Sequence, residues 1–211
     1  MVTEPRVTGD AVERLLEVAL ALFSKQGFRG TSIREIATHA GLSIGNVYHH
    51  FANKEALFET LIERYWARLL EPELPINQLF ARAGFPEELD ELAAAIEAVV
   101  RENAPYVKLI YIDVVEFEGK HIRAFYQTMA ERFERVYREP LERRRQNGEF
   151  GDIDPMVAAM VTVRWLFYFY TVENCFGVRN HLGMDSGRAV SEFIRLIKLG
   201  LLPRPMGDAG S

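Results

Sequence analysis

The sequence predicts an all-α protein in which a small N-terminal helical unit precedes a larger helical bundle. Apolar residues recur with the 3.6-residue period of amphipathic helices along most of the chain, and no long stretch alternates with the period of a β-strand. Proline and glycine concentrate at about residues 71–86 and mark a break in this pattern. Two helical segments of unequal size therefore account for the chain.

Composition restricts the class of protein. Of the 211 residues, 48% are hydrophobic and 26% are charged, which is typical of a globular protein with a large core. The net charge of −5 means that binding to a polyanion would depend on a local patch. A single cysteine, Cys175, excludes an internal disulfide framework and a zinc site built from several cysteines. We therefore expect a cytoplasmic protein, without a secretory signal or a membrane span, whose apolar window at 156–178 is a buried helix.

Four helices are expected in the N-terminal part, each with a recognisable start or end. Gly27 is the expected C-cap of the first helix. Ser32, Ser43 and Asn53 have the short polar side chains that cap helix N-termini, and Glu35 stands at capping-box spacing from Ser32. Further helices are expected at about residues 87–102, 105–117, 120–146, 155–179 and 186–200.

The second and third helices are short and are joined by a turn that contains Gly41, as in a helix-turn-helix whose second helix enters the DNA major groove. Val47 and Phe51 are four residues apart, so we expect them to face inward. Gly45 is unusual because a glycine inside a helix costs about 1 kcal/mol relative to alanine. Close approach of the backbone to DNA would justify that cost. The residues expected to face solvent are Ile44, Gly45, Asn46, Tyr48 and His49.

The segment GFRGTSIREIATHAGLSIGNVYHHFANKEALF, residues 27–58, closely resembles the DNA-binding region of TetR-family transcriptional regulators. The shared pattern runs from Gly-aromatic-x-x-Thr-Ser/Thr through Ile-Ala and a Gly-apolar-Ser turn to Tyr-x-His/Tyr-Phe and Asn-Lys-Glu-Ala-Leu. The resemblance covers about the first quarter of the chain. It implies a three-helix helix-turn-helix DNA-binding domain at residues 8–54 and a C-terminal effector-binding and dimerisation domain at residues 55–202, while residues 203–211 are expected to be disordered.

The resemblance also implies which side chains contact DNA. The starts of the second and fourth helices and the end of the third are expected to bind phosphates. At the start of the third helix, Asn46 has the groups to pair with adenine, and Ile44 has the shape to pack against a thymine methyl. Ile44 departs from the commonest family pattern, in which a polar or basic residue is frequent. The expected DNA-binding residues are Thr31, Ser32, Ser43, Ile44, Gly45, Asn46, Tyr48, His49, His50 and Lys54.

The local charge is compatible with this role. Between residues 25 and 54 the sequence has four cations, Lys25, Arg29, Arg34 and Lys54, against the single anion Glu35, a local balance of +3. Three histidines in the same window would add to it near phosphate. Because this balance is modest, affinity is expected to depend on geometry as well as on charge.

The C-terminal part suggests a homodimer and an effector site. In VTVRWLFYFYTVENCFG, residues 161–177, apolar residues occupy more than one helix face, so this helix must be buried on several sides. The resemblance implies that the last two long helices pair with their copies, placing two recognition helices on a palindromic operator. It also implies a small-molecule site in the C-terminal bundle. The apolar and aromatic residues there favour a hydrophobic effector, and our hypothesis is that its binding shifts the fourth helix and releases DNA. The candidate effector-binding residues are Tyr106, Ile110, Phe117, His121, Phe125, Tyr126, Trp165, Phe169 and Glu173.

Two alternatives stay open. One is a DNA-binding protein of the same fold without an effector. Activation in place of repression also stays open. The other is a helical-bundle enzyme. Glu118 and His121 form one E-x-x-H of the kind repeated in di-iron bundles, but no other histidine has a glutamate three positions earlier. His49 and His50 are adjacent and point about 100° apart on a helix, which makes a poor metal pair. We therefore expect no catalytic residue, metal or cofactor.

Overall fold

The structure is a computed structural model that describes residues 6–82 and 84–201. These residues form ten α-helices and no β-strand, which confirms the all-α prediction. The expected disordered tail at 203–211 lies outside the described residues. In chain order the helices are α1 (Arg6–Gln26), α2 (Ile33–Ala40), α3 (Ile44–His50), α4 (Lys54–Leu69), α5 (Pro75–Arg82), α6 (Leu89–Glu102), α7 (Ala104–Glu116), α8 (Ile122–Gln146), α9 (Pro155–Asn174) and α10 (Ser186–Leu201).

The helices divide into two compact units that do not follow the chain order. The first unit contains the described residues up to Leu70 together with Pro105–Phe125, and the second contains Glu71–Ala104 together with the described residues from Tyr126 onward. The compact units therefore differ from the functional domains expected at 8–54 and 55–202. The first unit extends beyond residue 54 because α4 and α7 both bury apolar side chains in its core, as Leu57 and Leu109 show.

The predicted helix caps of the first unit are confirmed. The Ser32 and Ser43 Oγ atoms accept the N–H groups of Glu35 and Asn46, each at 3.1 Å. Asn53 Oδ1 accepts the N–H of Ala56 at 2.8 Å. These bonds satisfy backbone donors that have no partner inside the first turn of a helix.

The two expected turn glycines have left-handed backbones. Gly27 follows α1 with a φ of +80°, and its N–H donates to Phe23 O at 2.9 Å. Gly41 ends α2 with a φ of +68° and donates to the carbonyls of Ala37 and Thr38. Both positions need a conformation that costs glycine little.

The core of the first unit places the third helix as the sequence predicts. Val47 is fully buried and Phe51 nearly so, and both belong to one cluster with Phe23 and Ile36. From α4, Leu57, Phe58, Leu61 and Ile62 enter the same cluster. Because both ends of α3 are capped or packed and its inner face is buried, its other face is held towards solvent.

In the second unit, α6 packs against α5, α9 and α10, and α9 packs against α10. Helix α5 occupies part of the region expected to be a break, so that expectation was wrong for residues 75–82. Pro75 stands at the first helical position, where proline is tolerated, and Ile76 and Phe80 are buried four residues apart. The four-residue spacing of Ile76 and Phe80 was the sequence pattern that indicates this helix.

Helix α9 ends at Asn174, five residues before the expected end, and Gly177 follows with a φ of +73°. Cys175 at its C-cap is buried. Among the described residues α9 alone has the length and composition of a membrane span, and half of its most apolar window is buried within the protein. A core helix meets the same criterion, so this resemblance to a span is weak.

Candidate nucleic-acid interface

Helix α3 presents a polar and aromatic face to solvent, as its spacing predicts. Tyr48 is 54% exposed, and Ile44, Gly45 and His49 are also exposed. Asn46 and His50 are half-buried at the edges of this face. The exposed face lies opposite the buried Val47, so a partner that binds α3 meets these side chains first.

Nothing in the described fold of the free protein requires a glycine at position 45. Its φ is not in the left-handed region, and a Cβ at this position would meet only Ser43 Oγ, at 3.8 Å. An alanine would therefore fit without displacing any neighbour, and it would favour the helix. The presence of glycine here is consistent with close approach of an external partner.

Asn46 has a polar atom that the described part of the protein leaves unsatisfied. Its backbone N–H donates to Ser43 Oγ, but its side-chain Oδ1 is buried and has no hydrogen-bond partner among the described residues. Leaving a buried acceptor unsatisfied costs about 1–3 kcal/mol. A rotation of the amide towards a base edge would relieve this cost.

The two serine caps have a hydrogen available for a phosphate. Ser32 and Ser43 are exposed, and each Oγ accepts a backbone N–H. A hydroxyl that accepts such a bond still carries its own O–H donor. Both residues therefore present an exposed hydroxyl donor at the start of a helix.

Thr31 differs from the expectation that its hydroxyl binds a phosphate. The residue is only 1% exposed, and its Oγ1 donates to Gly27 O at 2.8 Å. Its N–H donates to Phe28 O at 3.2 Å. Thr31 therefore closes the turn of residues 27–31 from inside, and its side chain does not reach the surface.

Lys54 also has an internal role that the sequence did not predict. Its Nζ donates to the carbonyl oxygens of Phe28 and Thr31, each at 2.7 Å, and lies 4.2 Å from the centre of the Phe28 ring. Burial lowers the pKa of the Lys54 ammonium, and the nearby Glu116 carboxylate opposes that shift. Because two of its three donors are used, Lys54 primarily joins the start of α4 to the 27–31 turn.

Two further expected contacts, His49 and His50, lie in the last turn of α3. The His49 and His50 rings lie edge to face with centroids 4.9 Å apart. Lys25, Arg29 and Arg34 are exposed near the same elements. The carboxylate of Glu35 accepts both of its hydrogen bonds from Gln26 Nε2, at 3.0 and 2.9 Å. Three of the four cations between residues 25 and 54 are therefore accessible to an anionic partner.

Sequence reasoning missed Glu116, which lies at the C-terminus of α7. Its carboxylate accepts the N–H groups of Phe28 at 3.0 Å and Arg29 at 2.9 Å. No local pattern reveals this contact, because 87 and 88 residues separate the partners along the chain.

The expected effector residues fall in both units: Tyr106, Ile110, Phe117, His121 and Phe125 in the first, and Tyr126, Trp165, Phe169 and Glu173 in the second. Several of their aromatic rings stack within their own unit. Phe125 stacks on Trp66 with centroids 3.6 Å apart, and Trp165 stacks on Phe193 at 3.8 Å. Phe125 and Trp165 therefore already have packing partners inside their own units.

The two polar candidates among them also have internal partners. His121 Nδ1 lies 2.6 Å from Asp113 Oδ1. Glu173 accepts hydrogen bonds from Asn180 N, His181 Nδ1 and Ser186 Oγ. Burial opposes ionisation of Glu173, but these bonds outweigh it and hold the pKa of the carboxyl below its ordinary value.

A cavity in the second unit contains none of the expected effector residues. It is lined by Leu79, Gly84, Phe85, Glu88, Leu89, Leu92 and Tyr137. No group of three potential metal ligands occurs in the described part of the chain.

Comparison with known proteins agrees with the geometry of the first unit. The family model of bacterial regulatory proteins of the tetR family matches residues 15–61. The chain is 28% identical over 129 residues to the transcriptional regulator YerO of Bacillus subtilis, which covers 61% of this chain and 45% of YerO. It is 43% identical over 95 residues to the repressor KstR2 of Mycobacterium tuberculosis, covering 44% of this chain and 42% of KstR2. The chain thus matches less than half the length of these two relatives.

Other similarities extend further along the chain. The repressor NicS of Pseudomonas putida is 29% identical over 161 residues, covering 75% of this chain and 74% of NicS. A TetR-family regulator from Mesorhizobium loti has a similar solved structure, with a TM-score of 0.65 and 21% identity over 94% of this chain and all of that one. The complex of SmeT with triclosan has a TM-score of 0.60 and 20% identity over 94% of this chain and 99% of that one. The solved structures show a shared fold. Residues 15–61 therefore belong to the TetR family of bacterial regulatory proteins.

Proposed function

We propose that the protein is a cytoplasmic transcriptional repressor that binds a palindromic operator as a homodimer. The observation that carries this proposal is the exposed face of α3, where Ile44, Gly45 and Tyr48 are held outward by the buried Val47 behind them. The names of KstR2 and NicS as repressors support repression as the direction of regulation. DNA would be read at the start of α3 and held through phosphates at its flanks.

The homodimer is proposed from exposed apolar residues on the last two helices. On α9, Val157, Val161 and Tyr168 are exposed at spacings of four and seven residues, which places them on one face. On α10, Leu196 and Leu199 are exposed three residues apart. A second copy of the chain offers the same surfaces, and a two-fold axis would pair them.

Release by a hydrophobic small molecule is the proposed regulation, supported by the bound triclosan in the SmeT complex. A ligand of this kind releases DNA only if it prefers the conformation that does not fit the operator. The second candidate function is DNA binding without an effector. The stacking of Phe125 on Trp66 and of Trp165 on Phe193 favours it, because these predicted lining residues already have packed partners.

The test is selection of a duplex from a random pool with the full chain, followed by fluorescence anisotropy at fixed salt. A selected palindrome bound at a ratio of two chains per duplex is the expected result. Retention of no sequence above random DNA would refute the repressor assignment. Adding a panel of hydrophobic compounds to the complex then separates the two candidates, since only the effector-regulated repressor is released.

A further inference from the structure

Glu116 inserts its carboxylate into the turn that connects α1 to α2. Oε1 accepts the N–H of Phe28 and Oε2 accepts the N–H of Arg29, at 3.0 and 2.9 Å. Gly27 precedes these two amides with a φ of +80°, and a Cβ on it would lie 3.0 Å from Glu116 Oε1. Successive amides beside a left-handed residue form a concave site for an anion, and here a side chain from α7 fills it.

The carboxylate is largely shielded from solvent, since the Glu116 side chain is 14% exposed. Its neighbour Phe117 packs against Phe28, with ring centroids 4.6 Å apart, and against Phe58 at 5.0 Å. The end of α7 is therefore positioned by the core of the first unit. The nearby Arg29 guanidinium is 83% exposed and 3.6 Å away, so its ion pair with Glu116 contributes little.

Lys54 binds the carbonyl groups of the same turn. While Glu116 accepts from the amides of Phe28 and Arg29, the Lys54 ammonium donates to the carbonyls of Phe28 and Thr31. The anionic Glu116 of α7 thus binds N–H groups of the 27–31 turn, and the cationic Lys54 of α4 binds carbonyl groups of the same turn. Charged groups form stronger hydrogen bonds to the backbone than neutral groups do.

The 27–31 turn is adjacent in the chain to residues proposed to bind DNA. Ser32, the cap of α2, follows Thr31 immediately, and Arg29 within the turn carries an exposed guanidinium. A change in the turn therefore alters the direction of both groups. Their geometry depends on the position of α7 because Glu116 is the α7 side chain that binds the turn amides.

We propose that Glu116 is a positioning residue for operator binding, which couples α7 to the start of α2 by holding the Phe28 and Arg29 amides. This rests on the proposed DNA-binding function. Glu116 itself does not touch DNA. Movement of α7 would reach the phosphate contacts through this carboxylate, as a route separate from any shift of α4.

Simple electrostatics predicts the opposite effect of removing this charge. Deleting an acidic group near a polyanion site strengthens binding, whereas loss of a positioning contact weakens it. The direction of the change therefore separates the two explanations. Two substitutions use this difference: Glu116→Gln removes the charge, and Glu116→Asp keeps the charge but withdraws the carboxylate by one methylene.

The experiment uses the full chain and the selected operator duplex, with anisotropy titrations at several salt concentrations. Both variants are expected to bind the operator more weakly, by about tenfold for Glu116→Gln, which loses a charge-assisted pair of hydrogen bonds. The salt slope is expected to stay close to that of the wild type because neither substitution removes a cation from the DNA-binding surface. Glu118→Gln, an equal charge change at an exposed position two residues away, is the matched control and is expected to bind as well as the wild type or better.

Amide hydrogen exchange without DNA supplies a second readout. In Glu116→Gln, which keeps a single acceptor oxygen, at least one of the Phe28 and Arg29 amides is expected to exchange about tenfold faster than in Glu118→Gln. In Glu116→Asp both amides are expected to exchange faster, because both oxygens are withdrawn. Wild-type protein that binds no duplex would overturn the proposed function together with this inference. Operator binding by both Glu116 variants at wild-type affinity, with wild-type amide exchange, would overturn the inference alone.

Discussion

Lys54 and Phe28 interact twice, through a hydrogen bond of 2.7 Å from Nζ to the backbone carbonyl and through the ring face 4.2 Å from the same nitrogen. A lysine at the start of α4 was expected to contact a phosphate. The structure instead uses it to tie α4 to the turn before α2, and this geometry changes what a mutation at residue 54 should do.

Lys54→Ala is expected to destabilise the protein by about 1.5–3 kcal/mol, the range for hydrogen bonds to a charged group. Operator affinity should fall for all sequences alike, while the salt slope stays nearly unchanged. Urea unfolding and anisotropy at several salt concentrations measure both effects. Arg34→Ala, at an exposed cation on α2, serves as the stability control. If the salt slope of operator binding fell by about one unit without loss of stability, Lys54 would instead be assigned to a phosphate contact.

Gly45→Ala is expected to stabilise the free protein by up to about 1 kcal/mol and to weaken operator binding. The gain arises because alanine favours a helix and its Cβ has open space, with the nearest atom at 3.8 Å. The loss arises if the backbone of α3 approaches DNA at this point. Thermal unfolding and operator titration measure the two effects. Unchanged affinity in the stabilised variant would show that the glycine serves no close approach.

Asn46→Ala is expected to cost about 1–3 kcal/mol against the selected operator and to relax the choice of one base pair. The free protein should not be destabilised, because the buried Oδ1 has no hydrogen-bond partner among the described residues. Titrations against single-base variants of the operator provide the measurement. Equal losses on the operator and on random duplexes would argue against base reading by this amide.

Val161→Glu is expected to convert the proposed homodimer into monomers and to abolish tight binding to the palindrome, since a charge would be buried at the interface. Val161 is 52% exposed on α9, and Val114 on α7 is 53% exposed, so Val114→Glu is a matched control. Sedimentation velocity reports the oligomeric state. Val161→Glu chains that still sediment as dimers would place the interface elsewhere.

Glu173 is expected to make stability depend on acid pH. Because the folded protein holds the pKa of this carboxyl below its ordinary value of 4.5, the stabilisation is complete above that value. It is lost as the pH falls from about 4.5 through the lower folded pKa. The unfolding free energy of the wild type and Glu173→Gln should therefore converge on acidification. Ser186→Ala removes one donor to Glu173 and should therefore narrow the pH interval over which this stabilisation is lost. A difference in unfolding free energy between the wild type and Glu173→Gln that is constant with pH would contradict the assignment.

The N-termini of α2, α3 and α4 and the inner and outer faces of α3 were predictable, because the relevant interactions act within a few residues of the chain. Ser32, Ser43 and Asn53 cap the N-terminus of the helix that each precedes, and Val47 and Phe51 face the core at the spacing of one helical turn. The same locality explains why the segment at 27–58 was sufficient to indicate the family. The Ile76–Phe80 spacing that marks α5 was present as well, but the surrounding proline and glycine favoured a break.

The roles of Lys54, Thr31 and Glu116 depended on tertiary packing. Lys54 meets its two carbonyl partners across 26 and 23 residues, and Glu116 meets its amides across 88 and 87. Composition and periodicity describe how a residue relates to its chain neighbours. They contain no information about which distant backbone groups remain unsatisfied until the helices have packed, and those groups determine where a charged side chain binds.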